Sequence, residues 1–83
     1  MSMIFFTYRA ATQARMGADI LKQAGISARV DRMPAGLGKQ GCGYGLWVRP
    51  DQARRAAEAL RIRHSPFQKV YEIRNEMARE VRL

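Results

Sequence analysis

One cysteine and one histidine stand in 83 residues. A single thiol cannot close an internal disulfide, and one Cys with one His falls short of the ligands of a closed zinc site. Neither a disulfide framework nor a structural metal is therefore expected, and a reducing cytoplasm is the compartment that fits. Long apolar runs are lacking as well. The opening MSMIFFTYRA has no basic region, and its apolar run stops after Phe6, short of a signal-peptide core or a membrane span. A soluble protein not exported by that route is the expectation. Acidic residues are scarce, 7 against 15 Lys and Arg, for a net charge of +8. That surplus draws polyanions through its summed field. The basic residues are nevertheless scattered from Arg9 to Arg82, and the aromatic-plus-basic ribonucleoprotein pattern is absent, so no specific nucleic-acid partner is expected.

What is present is enough for one two-layer core. A hydrophobic share of 47% predicts a folded globule, and the length allows a single domain with any site on its surface or in a loop. Met3 to Tyr8 has strand length and pleat-loving residues, and reads as a first, central strand. Helical spacing follows, with Ala14, Gly17, Ala18 and Leu21 on one face, Thr12 as N-cap and Gly25 as C-terminal cap. Ser27 to Met33 alternates as a half-buried strand and is stopped by Pro34. Ala35 to Gly43, with four glycines, reads as a mobile loop, and Tyr44 to Arg49 as a third strand. Ala53, Ala56, Ala57 and Leu60 predict a second helix from Asp51 to near His64, and Phe67 to Ile73 a fourth strand. The charged tail 74–83 extends a helix through Ile73, Met77 and Val81, or frays. The order strand, helix, strand, strand, helix, strand predicts an α+β fold: the ferredoxin-like βαββαβ plait, with two helices on one face of a four-stranded antiparallel sheet, over residues 1–73.

The lone cysteine sits in Lys39-Gln40-Gly41-Cys42-Gly43-Tyr44-Gly45, where the backbone is freest. If strand one runs up, strand two does also, and the glycine loop turns over at the end where helix one begins. Cys42 is thereby expected near Thr7, Arg9, Thr12 and Gln13. Unpaired N–H groups at the helix start, the dipole, Arg9, Lys39 and the amides of Gly41 and Gly43 would favour a thiolate there. A hairpin turn with Cys42 packed inward as a small hydrophobe satisfies the same spacing. His64 makes a nucleophile–base pair with Cys42 conceivable, although no third group completes it, and a capping role near a helix C-terminus also serves. Tyr44 and Trp47 read either as an aromatic platform or as sheet surface and core.

From Ile4 to Ile73 the chain resembles a family of small bacterial selenium/sulfur carrier-like domains. The resemblance lies in the apolar first strand, the Ala-rich helix ending Ala24-Gly25-Ile26, the Met33-Pro34 pair, Cys42-Gly43 at the entry to strand three, and Tyr71-Glu72-Ile73. Where the family has small hydroxylated residues before its Cys-Gly, this chain has Gln40 and Gly41. The resemblance implies a carrier rather than a turnover enzyme, without a cofactor, that holds sulfur or selenium on Cys42 as a persulfide or perselenide. It also implies a cysteine desulfurase-like donor and a selenophosphate synthetase-like acceptor. A small regulatory or ligand-binding module without thiol chemistry is the alternative, and a basic RNA-binding domain the third reading.

Overall fold

A computed structural model describes residues 2–34, 37 and 43–83. Its elements are β1 (Ser2–Tyr8), α1 (Ala11–Gln23), β2 (Ala28–Arg32), β3 (Tyr44–Val48), α2 (Ala53–Ile62), β4 (Val70–Arg74) and β5 (Met77–Val81). One antiparallel sheet runs in the order β2-β3-β1-β4-β5. The α+β class and the central first strand hold. The four-stranded plait does not, because a fifth strand extends the sheet beyond β4.

Two residues account for that difference. Asn75 and Glu76 both take positive φ, 50° and 66°, between the paired residues Arg74 and Met77. This makes a two-residue hairpin turn of the kind whose twist matches that of the flanking strands. The segment expected to continue a helix or fray therefore folds back along β4, and Val81 falls opposite Val70 and against the core. Glu76 occupies the position where glycine is cheapest. Left-handed backbone costs a residue with a side chain about 1–2 kcal/mol, partly offset by the greater freedom of glycine in the unfolded chain. Glu76→Gly is expected to stabilise the protein by roughly 0.5–1 kcal/mol, seen as a higher urea midpoint with an unchanged slope.

Both helices cover one face of the sheet. Ile4, Phe6 and Tyr8 of β1 join Leu46, Val48 and Val70 in a cluster with Ala14, Leu21, Ala53, Ala56, Ala57 and Leu60. Small residues let the helices approach closely: a Cβ on Gly17 would stand 3.0 Å from both Leu46 Cδ1 and the Tyr8 hydroxyl. Both helices also end alike. After α1, Gly25 N–H donates to the Lys22 carbonyl and Ile26 N–H to that of Leu21; after α2, His64 donates to Arg61 and Ser65 to Leu60. These are Schellman ends with Gly25 (φ 78°) and His64 (φ 59°) in the left-handed position. The Gly25 cap is thus as expected. Thr12 is not the N-cap: the helix starts at Ala11 behind Ala10, whose side chain makes no cap, and Thr12 lies exposed in the first turn.

The opposite face carries Phe5, fully buried although it is outside the cluster that packs against α1 and α2. Its ring stands 4.8 Å from that of Trp47 and lies across Gly45, where a Cβ would come within 2.5 Å of it. Among the described residues no helix is long and apolar enough to cross a membrane.

Candidate functional site

The residues expected around the cysteine are reached through β1 and β3. Tyr8, the last residue of β1, pairs with Tyr44, the first of β3. Arg9 and Gly43 flank that pair and so stand at one end of the sheet. Gly43 has a φ of +147°, and its carbonyl accepts a hydrogen bond of 3.0 Å from Met33 N–H. A Cβ on Gly43 would lie 3.1 Å from Met33 Cε and 3.4 Å from the Tyr8 carbonyl oxygen. Backbone conformation and crowding together require glycine here. Gly43 thus fixes where β3 begins, one residue after the thiol in the chain.

Cys42, Gly41 and Lys39 lie outside the described residues, as does most of the glycine-rich loop. Of the other expected neighbours, Arg9 is exposed, and α1 begins two residues beyond it with no acidic residue in its first turn. Thr12 and Gln13 stand exposed on that turn. The end of the sheet that leads to Cys42 therefore also carries a helix N-terminus and a guanidinium, both favourable to a nearby anion.

A pairing of His64 with Cys42 lies outside the described residues. His64 itself is exposed at the end of α2, where its backbone conformation is what the helix uses. The two aromatics of β3 do not form a joint platform, because positions three apart on a strand point to opposite faces. Tyr44 packs against the helical core, while Trp47 lies on the other face beside Phe5 and donates its Nε1–H to Asp31 Oδ2 at 3.1 Å.

Sequence reasoning passed over Tyr8, Met33 and Lys69. Tyr8 is 2% exposed, and its hydroxyl donates to the Ser65 carbonyl at 2.8 Å while lying 3.3 Å from the Ser65 hydroxyl. That tie fastens the end of α2 to the end of β1. The signal was a polar-tipped aromatic closing an apolar strand, a residue that needs a buried partner. Burial pushes the Tyr8 phenol above its usual 10.0, and the hydrogen bond from Ser65 works against the rise. A proton held more tightly in the folded than in the unfolded state adds stability that is complete below the unfolded value and fades as pH climbs through the folded one. Stability is therefore expected to drop above about pH 10. Tyr8→Phe should flatten that drop while costing about 1 kcal/mol at neutral pH. Urea midpoints taken from neutral to alkaline pH would check both. Equal alkaline slopes in the two proteins would refute the assignment.

Beside Met33 a groove of about 270 Å³ is lined by Thr7, Met33, Gln68, Lys69 and Tyr71. Its floor is held by exchange between strands: Lys69 N–H donates to Thr7 Oγ1 at 2.9 Å, and Gln68 N–H to the Thr7 carbonyl at 2.9 Å.

Compared with known protein families, the chain matches the one described as "Putative Se/S carrier protein-like" over residues 3–72. No curated protein and no solved structure matches it.

Proposed function

Since the chain belongs to that selenium/sulfur carrier-like family, we propose that it carries a sulfur or selenium atom on the thiol of Cys42. The observation that carries the reading is that the matched span, residues 3–72, contains the only cysteine in the protein. In the sulfur case the Cys42 thiolate attacks the outer sulfur of a persulfide on a donor protein. A new S–S bond forms at Cys42, the donor's S–S bond breaks, and the donor cysteine leaves as a thiolate. An acceptor thiolate then takes the outer sulfur by the same exchange and returns Cys42 to its thiolate. No net oxidant is required. A cysteine desulfurase suits the donor role and a selenophosphate synthetase the acceptor role.

The surroundings support the reading. Arg9 and the start of α1 place positive potential at the end of the sheet that Gly43 enters. Glycine on both sides of Cys42 leaves little side-chain bulk to obstruct a second protein. The test is intact-mass measurement after incubation with a cysteine desulfurase and cysteine. The protein should gain the mass of one sulfur atom and lose it on addition of a reducing thiol. No gain from any such donor, with the protein shown to be folded, would sink the proposal.

A further inference from the structure

At the end of the sheet that β3 enters through Gly43, the other four strands each carry a cation. Crossing the sheet from one edge to the other, β2 ends on Arg32, β3 is preceded by Gly43, β1 is followed by Arg9, β4 is preceded by Lys69 and β5 is followed by Arg82. All four cationic residues are exposed. At the strand spacing of a sheet the row is about 19 Å long. Set against it are the carboxylates of Asp31, whose Oδ1 accepts from the Arg32 backbone N–H at 2.8 Å, and of Glu80, 3.9 Å from Lys69 Nζ with both side chains more than half exposed, a contact that water and salt weaken. The opposite end of the sheet is mixed: Arg49 is bound to Asp51 at 3.3 Å, and Glu76 turns the hairpin beside Arg74.

We propose that this cationic row, with the adjoining groove of Thr7, Met33, Gln68, Lys69 and Tyr71, is the docking edge for an acidic segment of the protein that delivers the transferred atom. The identity of the partner as a donor rests on the carrier reading; the acidic chemistry of the partner rests on the row. Charge complementarity selects the occupant. A row of cations steers an acidic surface and fixes its orientation. The groove adds the Gln68 amide, the Tyr71 ring and the soft Met33 side chain as contacts for an extended peptide beside Lys69. Met33 ties the groove to Gly43, since its N–H donates to the Gly43 carbonyl. A segment seated in the groove is thus adjacent to the residue that follows Cys42. Nucleic acid fits less well: all seven aromatic side chains are buried or half-buried, which leaves no stacking platform in the row.

The experiment uses a fluorescent polyglutamate peptide as the probe and a single-stranded RNA of equal charge as the competitor. Arg32→Glu with Lys69→Glu should weaken peptide binding by about tenfold or more, and the milder Arg32→Gln with Lys69→Gln should fall between. Arg54→Glu with Arg55→Glu, exposed on α2, removes the same charge elsewhere and should change binding less than about twofold. Equal losses in the two reversed pairs would overturn the proposal, as would binding that favours RNA over peptide. Each protein is also treated with inorganic polysulfide and weighed, which loads the thiol without any partner. If the row variants load as the wild type does, their weakened peptide binding counts for docking. If no protein accepts sulfur from polysulfide, the carrier reading fails by itself, and the peptide comparison still decides the row.

Discussion

Gly45→Ala is expected to leave little native protein at 25 °C. A Cβ at this position would stand 2.2 Å from the Phe6 carbonyl oxygen and 2.5 Å from Cε2 and Cζ of Phe5. The first contact is with backbone, in the strand to which Gly45 is itself paired opposite Thr7, so relief requires β1 and β3 to part. The second is with a ring already 4.8 Å from Trp47 and fully buried. Overpacking a core ordinarily costs about 1–3 kcal/mol because side chains can shift. Here the obstacle is the ladder at the centre of the sheet, and the loss should exceed that range, against a total stability of roughly 4–12 kcal/mol for a chain of this size. Gly25→Ala provides the contrast. Nothing lies within 4 Å of its would-be Cβ, and its φ of +78° leaves only the conformational penalty, about 1 kcal/mol. Urea denaturation of both variants checks the order. A Gly45→Ala midpoint at or above that of Gly25→Ala would show that the steric account is wrong.

Cys42→Ser is expected to abolish acceptance of sulfur while sparing the fold. A serine hydroxyl is scarcely ionised at neutral pH and cannot hold sulfane sulfur, so the mass gain from desulfurase and cysteine should vanish completely. Cys42 lies between Gly41 and Gly43 and outside every described helix and strand. The exchange of sulfur for oxygen should therefore cost well under the ~2 kcal/mol of a core truncation. Retained sulfur uptake by the serine variant would place the acceptor atom elsewhere. Unfolding of that variant would make the thiol part of the architecture.

The apolar periodicities carried most of the architecture. Ala14, Gly17 and Leu21, and then Ala53, Ala56, Ala57 and Leu60, are the faces that meet the sheet, because burial stabilises whichever stripe repeats at helical spacing. The fifth strand was hidden by a coincidence of spacing. Ile73, Met77 and Val81 fit a helix as readily as a hairpin, and the choice is made by Asn75 and Glu76, of which only Asn75 is a common turn residue. Thr12 misled because it was chosen by residue type alone, whereas α1 starts one residue earlier, at Ala11 behind Ala10, with no side-chain cap. That Arg9 and Gly43 share one end of the sheet was legible from strand direction alone. The placement of Lys69 and Met33 was not, since they reach that end through pairings between distant parts of the chain, which single-residue character does not encode.

The place of β1 in the sheet also governs how the protein comes into being. Phe5 is paired to Trp47 on one side and Tyr71 on the other, and both lie far along the chain. During synthesis β1 emerges well before either partner exists. Its apolar run, Ile4 to Phe6, can gain α1 as cover early, but it has no neighbouring strand until β3 and then β4 have left the ribosome. Such non-local pairing makes for slow folding and a period of exposure to aggregation. Most of its stability should therefore arrive in a single late step, when β4 closes on the second edge of β1. Nascent chains halted before Val70 should be sticky, protease-sensitive and bound by general chaperones, and those released after Val81 should not.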